Sequence, residues 1–386
     1  MSVSSKEIIV QYTSRVESFR GFEEFGVDNR KKYSLSFYGR TIQIIKVYFF
    51  LFFIPKAESS LNKYIFEHQN ERYLYKNIIE LLEPSDCSVI GGFSNLFQTT
   101  KSKHRFIWAG GIIAAFEIAL HLGDYKYLDK IIHRLNLWND ECNEIILFLH
   151  EDTQPLGLVL SSVFKKSDNI STVCIAHSFL PESPDGLTYE GNNSNFNLIW
   201  DKSQDKFFDK EKTSVILLGL PYEYNIVNKI NTNNIILLGH CQEESIFDEY
   251  WQTYAHNYYI YNMLKENDYC VKFKPHPRDK GLNARKFFGE DISTDLHQEM
   301  RNGSIIIGFV SSALYEAKLH GLHVIGLDTD LLVSKRSFEV DRSFKASEYK
   351  NIPDYLNSLS TQINREIEPD SLAKRFNKAI SIIQNK

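Results

Sequence analysis

Short apolar runs alternate with longer helix-like segments along this 386-residue chain, and this alternation restricts the fold more than any other feature. Between about 85 and 220, the runs CSVIGG (87–92), NEIILFLH (143–150) and STVCIAH (171–177) have that character. Near-continuous apolar runs between helices are typical of parallel strands that are covered on both faces. The sequence therefore predicts an α/β fold.

The segments between these runs predict helices, and two further runs predict strands. FIWAGGIIAAFEIALHLG (106–123) ends in a glycine, and PLGLVLSSVFKK (155–166) begins with a proline, as helices commonly do. FNLIW (196–200) and TSVILLGLP (213–221) are the further strands. Together with the first three runs they predict one sheet in the first half of the chain.

A second alternation follows the polar, turn-rich segment NKINTNN (228–234), which we interpret as a linker. The predicted domains are an N-terminal Rossmann-like domain over 1–232, a second one over 233–350, and C-terminal helices over 351–386 that can cross back to the first domain. The predicted strands of the second domain are 235–240, 269–276, 304–310 and 322–328, and its predicted helices are 245–267 and 312–320.

The composition is that of an ordinary globular protein, with 43% hydrophobic and 24% charged residues. A formal net charge of −5 gives no sign of a broad nucleic-acid surface, so no nucleic-acid partner is expected. The five cysteines show no CxxC spacing, which fits a reducing cytoplasm. The first residues have no basic start followed by an apolar core, so we expect no signal peptide.

The segment TIQIIKVYFFLFFIPK (41–56) is strongly apolar and leaves two interpretations open. It is too short to span a bilayer and contains Lys46, which argues against a transmembrane helix. It predicts either a buried helix or strand of the first domain, or a patch that contacts a membrane surface.

Polar side chains follow two predicted strands of the first domain. Glu151 and Asp152 come directly after the strand 143–150, where a carboxylate can take a proton from a sugar hydroxyl. Either residue can instead cap the next helix. His177 and Ser178 end the strand 171–177 and are candidate substrate ligands, although a histidine there can equally bond a backbone carbonyl.

The strand ends of the second domain carry a histidine, lysines and a glycine. Pro275 and Pro277 fix the backbone on either side of His276, which aims the imidazole. Lys272 and Lys274 share one face of the preceding strand, and phosphate is a natural partner for them unless they lie on a solvated edge strand. Gly239 lets a ligand approach the backbone, and His240 beside it is a further candidate ligand.

The segment VSSALYEA predicts an anion site at the start of a helix. Ser311 and Ser312 follow the strand 304–310, and their hydroxyls together with the free amides of a helix N-terminus can bind phosphate. Glu316 lies one turn later and can accept a hydrogen bond from a ribose hydroxyl. The chain has no GxxxxGK[ST] or GxGxxG loop. DTD at 328–330 matches a divalent-ion motif by letter only, so we predict no metal and no cofactor.

The motifs KPHPR and VSSALYEA, with the acidic pair, resemble those of bacterial GT-B sialyltransferases, in particular the polysialyltransferases and lipooligosaccharide sialyltransferases. The resemblance spans about 150–330, and the family's acidic-motif glycine is Thr153 here. It implies two Rossmann-like domains facing across a cleft. It also implies a general base at Glu151 or Asp152, a histidine at His276 that assists departure of CMP, and phosphate binding by a serine pair.

The resemblance implies an inverting, metal-independent enzyme that transfers sialic acid, or a related acidic sugar, from a CMP donor to a surface glycan. Its expected partners are a nucleotide-sugar donor and an oligosaccharide or glycolipid acceptor. The expected location is the cytoplasm, or the inner face of the cell membrane. A transferase using CMP-Kdo or CDP-glycerol and a non-catalytic GT-B-like binding module are the alternatives.

Overall fold

The structure is a computed structural model. It describes residues 3–20, 37–53, 62–68, 73–92, 104–141, 144–175, 193–224, 226–227, 229–239, 247–276, 282–329, 336, 338–359 and 370–385.

The chain forms two compact units. The first comprises Met1–His177, Thr188–Tyr222 and Ser371–Lys386, and the second comprises Ser178–Leu187 and Glu223–Asp370. Each unit has its own apolar core on the two faces of its sheet. After Tyr222 the chain continues in the second unit as far as Asp370, and the domain boundary after residue 232 stays a prediction from the sequence.

The first unit is built on a seven-stranded parallel sheet with strand order β3-β2-β1-β4-β5-β6-β7. Short, fully buried apolar strands such as β4, with the sequence IILFL, account for the parallel arrangement, because helices cover both faces. The strands are β1 Tyr64–His68, β2 Cys87–Gly91, β3 Arg105–Trp108, β4 Ile145–Leu149, β5 Ile170–Ile175, β6 Phe196–Ile199 and β7 Ser214–Leu217.

Two parts of this sheet differ from the sequence-based prediction. β1 precedes the first strand that the sequence predicts, and it lies in the middle of the sheet. The predicted helix over 106–123 is wrong at its start, because Arg105–Trp108 forms edge strand β3, and the helix begins at Gly110. The three apolar residues FIW fit a strand and a helix equally well, and pairing with β2 decides between them.

The helices of the first unit lie on both faces of the sheet, with five packed around one core cluster. The helix Gly110–Leu122 ends at Gly123, whose φ of 66° is the left-handed conformation that glycine adopts readily. The helices are Ser5–Arg20, Phe37–Phe53, Tyr73–Ile79, Gly110–Leu122, Lys126–Glu141, Pro155–Phe164 and Leu372–Gln384.

The last helix, Leu372–Gln384, belongs to the first unit. Leu372 and Phe376 are buried in the second core cluster of that unit, where the Phe376 ring lies 5.8 Å from that of Phe148. Arg375 donates hydrogen bonds to the carbonyl oxygens of Leu218, Leu220 and Tyr222 at 2.6–3.0 Å. The C-terminal residues therefore complete the core and brace the last strand end of the first unit.

The apolar segment of the sequence around 41–56 forms the helix Phe37–Phe53. Val47 and Phe50 on this helix are buried, and a Cβ on Gly111 would lie only 2.1 Å from that of Phe50, so the two helices pack closely there. The side away from this contact is exposed, so the interpretation as a buried helix holds for one side only. Within the described part of the chain, no helix is both long and apolar enough to cross a membrane.

The second unit contains a five-stranded parallel sheet with strand order β12-β11-β10-β8-β9. Its strands are β8 Asn231–Leu238, β9 Cys270–Lys274, β10 Ser304–Gly308, β11 Val324–Asp328 and β12 Arg342–Lys345. Its α-helices are Phe247–Glu266, Leu282–Phe288, Leu296–Arg301, Ser312–Leu319 and Ile352–Asn357.

The linker predicted at 228–234 is wrong in its second half. Asn231 already pairs with Ser304, so β8 begins there with the polar residues NTNN and becomes apolar only at Ile235. Backbone pairing with β10 extends this strand beyond its apolar run. The α/β class with two Rossmann-like parallel sheets is otherwise confirmed.

In each sheet the direction in which successive strands are added across the sheet reverses once. From β1 it proceeds through β2 to β3 on one side, and β4 then pairs with β1 on the other side. From β8 it proceeds to β9, and β10 then pairs with the other side of β8. Ligands of open α/β sheets bind at the carboxyl ends of the strands at such switch points. The β1–β4 and β8–β10 strand ends are therefore the places to look for a site.

Candidate functional site

The switch point of the first sheet brings two charged strand ends together. Phe66 of β1 pairs with Phe148 of β4, so Glu67 lies beside the end of β4. Glu67 is fully buried, and its Oε2 accepts a hydrogen bond from the backbone N–H of His150 at 3.0 Å. This bond fixes the backbone at the point where β4 gives way to Glu151.

Glu151 presents a carboxylate at this switch point. Its side chain is 15% exposed, and its Oε1 lies 3.7 Å from Nδ1 of the buried His150 imidazole. A carboxylate that is held beside an imidazole and open to solvent can accept the proton of a hydroxyl that is brought to it. Glu151 therefore has the accessibility that a general base requires.

Asp152 is placed very differently from its neighbour. Its side chain is fully buried, and its Oδ2 accepts hydrogen bonds from the backbone N–H groups of Asn193 and Ser194, both at 2.8 Å, and from the Ser194 hydroxyl at 3.1 Å. A carboxylate oxygen with three donors is already saturated. Asp152 anchors the segment before β6, and its buried position keeps it from an incoming hydroxyl.

Lys165 also holds the segment before β6 through its ammonium group. Its ammonium donates to the carbonyl oxygen of Ser194 at 2.7 Å and to that of Lys212 at 2.5 Å. Burial lowers the pKa of Lys165, and the charge of Asp152 opposes this effect. Lys165 and Asp152 thus both anchor the segment around Ser194.

The helix that follows Glu151 begins at Pro155, and its N-cap is Gln154, which makes no side-chain capping bond. Neither acidic residue therefore caps this helix, which was the alternative to a catalytic role. A Cβ on Gly157 would lie 1.9 Å from the carbonyl oxygen of Glu151. Glycine at 157 is what allows the first turn of the helix to pack against the Glu151 backbone.

In the second unit, the two lysines of β9 have different partners. Nζ of Lys272 forms an ion pair with Oε1 of Glu299 at 2.8 Å, and this hydrogen bond raises the pKa of Lys272. The structure thus gives Lys272 a protein carboxylate where the sequence suggested a phosphate. The helix Leu296–Arg301 supplies that carboxylate, from 27 residues further along the chain.

Lys274 is the last residue of β9 and is half-buried. Its Nζ lies 3.5 Å from the carbonyl oxygen of Pro275, and it forms no ion pair with any described residue. Burial lowers the pKa of Lys274, while the charge of Asp295 acts in the opposite direction. A bound anion would offset the cost of burying this ammonium.

Gly239 follows β8 and supports the end of β9. Its N–H donates to the carbonyl oxygen of Lys274 at 2.8 Å. A Cβ at this position would lie 3.1 Å from the backbone nitrogen of His276 and 3.0 Å from the Phe273 ring. The glycine therefore permits close approach of the protein's own β9 turn, and this turn places the half-buried His276 beside the end of β8.

Beyond β10 the chain turns into the helix Ser312–Leu319. Ser311 is its N-cap, with Oγ accepting a hydrogen bond from the N–H of Ala313 at 3.2 Å, and Glu316 lies one turn into the helix, partly exposed. β8 lies between β9 and β10, and neighbouring strands are about 4.8 Å apart. The strand ends that lead to His276 and Ser311 therefore flank the end of β8, roughly 10 Å from each other.

Arg336 joins the ends of β10 and β11. Its guanidinium donates to the carbonyl oxygen of Phe309 at 2.9 Å and to that of Leu327 at 3.1 Å, and it also bonds the Asp328 carboxylate. Gly326 leaves room for the guanidinium, because a Cβ there would lie 2.4 Å from it. Asp328, the first residue of the DTD segment, is thereby engaged by an arginine. Among the described residues no group of three histidine, cysteine or acidic side chains could hold a metal ion.

The structure describes some of the site residues that the sequence predicts, but not all of them. His177, Ser178, His240 and Pro277 lie outside the described residues. The sequence reasoning missed Glu67, His150, Gly157 and Arg336. Glu67 had a usable signal, because YIFEH ends in polar, ionisable residues just as FLHED does. The other three act through contacts that their local sequence does not reveal.

No protein-family model and no curated protein matches the chain. The solved structures described next are similar to it only at a distance. A variant of the wall teichoic acid polymerase TagF is 10% identical over 90% of this chain and 96% of that one, with a TM-score of 0.47. The spinosyn forosaminyltransferase SpnP is 10% identical over 84% and 95%, with a TM-score of 0.41.

The pneumococcal O-GlcNAc transferase GtfA, in complex with UDP and GlcNAc, is 11% identical over 67% of this chain, with a TM-score of 0.43. The chain spans only 60% of the length of that structure. At such identities and TM-scores, these proteins assign no activity to the chain. Function is therefore inferred from the residues at the two switch points.

Proposed function

We propose that the chain is a glycosyltransferase that uses a nucleotide-activated sugar. The observation that carries this proposal is the chemistry of the two switch points. The one in the first sheet presents the partly exposed carboxylate of Glu151. The one in the second sheet is flanked by Lys274, His276 and the serine-capped helix start at Ser311. A base for a hydroxyl and a binding site for a phosphate are the two functions that such a transfer needs.

Glu151 is the general base in this mechanism. It takes the proton of the acceptor hydroxyl as the oxygen attacks the anomeric carbon of the donor, so the sugar is transferred in one displacement with inversion. His150 beside the carboxylate and Glu67 behind it hold the base in place. Asp152 has no role in proton transfer, because its carboxylate is buried and committed to backbone donors.

The second-sheet site stabilises the departing nucleotide phosphate. Negative charge grows on the phosphate oxygen as the glycosidic bond breaks, so prearranged cationic and N–H donors favour the transition state over the ground state. Lys274 supplies the cation, His276 a charge-assisted hydrogen bond or a proton, and Ser311 and Ser312 their hydroxyls and the first free amides of the helix. Lys272 is excluded from this set by its ion pair with Glu299.

The donor in this proposal is CMP-sialic acid or a related CMP-activated acidic sugar. Support for this choice is the resemblance of KPHPR and VSSALYEA to the sialyltransferase motifs. Transferases that use CMP-Kdo or CDP-glycerol share the phosphate chemistry, so the nucleotide site alone does not choose among these donors. The acceptor is the hydroxyl of a surface oligosaccharide or glycolipid.

A nucleotide-release assay with CMP-sialic acid, CMP-Kdo and CDP-glycerol tests the proposal, with capsule-type and lipooligosaccharide-type glycans as acceptors. We expect acceptor-dependent release of CMP from CMP-sialic acid. We expect no release of CMP from CDP-glycerol, which would accompany transfer of glycerol phosphate. Turnover of CMP-Kdo alone would change the donor sugar but keep the mechanism. Turnover of CDP-glycerol alone would contradict sugar transfer, because the acceptor hydroxyl would then attack the glycerol-bearing phosphorus with CMP as the leaving group. Failure of every donor, together with no shift in melting temperature on addition of CMP or CDP, would refute a transferase and favour a binding module.

A further inference from the structure

One side of the helix Phe37–Phe53 presents large apolar side chains to solvent. The exposed fraction is 81% for Phe52, 61% for Ile45, 49% for Tyr48, 42% for Phe49 and 38% for Ile42. Scattered exposed apolar residues are normal, but a contiguous group of this kind on a soluble surface marks an interaction site. We call these five residues the apolar face.

Helix geometry places all five on one side. Ile42, Ile45, Phe49 and Phe52 are separated by three or four residues, so they follow one another along a single stripe. Val47 and Phe50 point the other way and are buried. The helix is thus apolar on both its inner and its outer side, whereas a helix of a globular protein normally carries polar residues on its outer side.

The inner side holds the helix firmly to the first unit. A Cβ on Gly111 would lie 2.1 Å from that of Phe50 and 2.9 Å from the carbonyl oxygen of Lys46, which shows how closely the two backbones approach. Gln43 adds a hydrogen bond to Glu117 at 2.6 Å. The packing of this helix therefore fixes the orientation of the apolar face on the surface of the first unit.

Two described aromatic residues of the first unit contact the apolar face. The ring of Phe49 meets that of Trp108 edge-to-face at 5.1 Å, and the ring of Tyr48 meets that of Tyr127 at 6.2 Å. The exposed fractions given above are those that remain with these contacts in place. The five side chains thus keep a large exposed fraction beside these two ring contacts.

Positive charges border the apolar face. The helix contains no acidic residue, and its charged residues are Arg40 and Lys46. Nζ of Lys130, from the neighbouring helix Lys126–Glu141, lies 3.1 Å from the Tyr48 hydroxyl and 5.0 Å from the centre of its ring. Lys46 and Lys130 form no ion pair with any described residue. Arg40 shares Asp124 with Lys126, each at 3.3 Å.

We propose that the apolar face inserts into the headgroup region of an anionic phospholipid bilayer. An apolar helix side bordered by lysines fits such a surface, because the side chains enter the acyl boundary while the ammonium groups meet the lipid phosphates. Aromatic residues such as Tyr48 are favoured at that boundary. A second copy of the chain fits less well, because two copies would bring the borders formed by Lys46 and Lys130 together.

Vesicle co-sedimentation of the full chain tests the proposal. The vesicles contain roughly one-third phosphatidylglycerol in phosphatidylcholine, with pure phosphatidylcholine as the comparison. We expect binding to the anionic vesicles that weakens as salt rises, because salt screens the lysine–phosphate attraction. The double variant Ile45→Ser with Phe52→Ser should reduce this binding by about 10-fold or more, since both side chains would leave the bilayer.

Val10→Ser is the matched control, because Val10 is another exposed apolar residue of the first unit, at 55%, on the helix Ser5–Arg20. It should bind vesicles like the unaltered chain. Unchanged binding of the double variant, or no binding to anionic vesicles, would overturn the proposal. So would a dimer in vesicle-free solution that the double variant converts to monomer, because a second copy would then occupy the face. Equal melting temperatures show that the variants are folded, and nucleotide release in detergent-free buffer reports separately on the proposed function.

Discussion

The carboxylate of Glu67 accepts a hydrogen bond from the backbone N–H of His150 at 3.0 Å, and so links the ends of the two central strands of the first sheet. Glu67 is fully buried, and the bond lies one residue before the proposed base. Burying a carboxylate costs free energy unless hydrogen bonds or an opposite charge compensate it. Here it fixes the backbone from which Glu151 extends.

Replacing Glu67 separates its role as an acceptor from its charge. Glu67→Ala leaves the His150 N–H without this acceptor and should lower the free energy of unfolding by about 1–3 kcal/mol, with a loss of activity. Glu67→Gln keeps an acceptor oxygen and should lose less of both. Denaturant unfolding and CMP release measure the two effects. Equal losses for both variants would mean that the charge, and not the hydrogen bond, matters.

The two acidic neighbours should respond in opposite ways. Glu151→Gln removes the base and should lower kcat by about 10²- to 10⁴-fold while leaving the melting temperature and CMP affinity unchanged. Asp152→Ala removes the acceptor of three hydrogen bonds and should chiefly lower the melting temperature. Steady-state kinetics and thermal unfolding of both variants check this. An active Glu151→Gln enzyme would contradict the assignment of the base.

Gly157→Ala should disturb Glu151 without touching its side chain. The new Cβ would lie 1.9 Å from the Glu151 carbonyl oxygen, so the backbone there has to move. We expect a loss of about 1–3 kcal/mol in unfolding free energy and a fall in kcat. Ser162→Ala, on the same helix, is the control and should behave as the unaltered protein. A fall in stability without a change in kcat would show that the displaced backbone does not carry the base.

Lys274 and Lys272 provide a paired test of the phosphate site. Lys274→Ala should abolish the rise in melting temperature that CMP produces. Lys272→Ala should leave that rise intact and change stability little, because its ion pair with Glu299 is partly exposed. If Lys272→Ala weakened nucleotide binding as strongly as Lys274→Ala, Lys272 would have to leave Glu299 and contact the nucleotide in the complex.

Lys274 also predicts a pH dependence in the ligand-free protein. Burial lowers the pKa of Lys274 below its ordinary 10.5, so the unfolded chain binds more protons than the folded chain between these two values. The penalty of the buried charge is thus full at neutral pH and fades as pH rises through that range. Lys274→Met should therefore raise the melting temperature at neutral pH, and the gain should shrink at alkaline pH. A gain that does not change with pH would point to packing and not to charge.

The parts of the fold that follow from local sequence are those with long, uninterrupted apolar runs. β4 and β10 are such strands, and their polar ends Glu151 and Ser311 could be identified for that reason. β1 was not predicted, because only three apolar residues, YIF, precede Glu67. Its central place in the sheet depends on pairing with strands that lie far along the chain.

The roles of individual side chains at the site were harder to predict, because their partners are distant in sequence. Asp152 is held by residues 41 and 42 positions away, and Lys272 by one 27 positions away. Adjacent acidic residues, and lysines two positions apart on one strand, look equivalent in the sequence. Their different partners in the folded chain distinguish them.

The return of the C-terminal helix to the first sheet has a consequence for synthesis of the protein. Phe148 is covered by Phe376, and Arg375 braces the carbonyl groups that follow β7. A ribosome therefore completes all the strands of the other unit before it releases the residues that close this face. During that interval the nascent first sheet exposes an aromatic surface, and it is then that a chaperone would be needed.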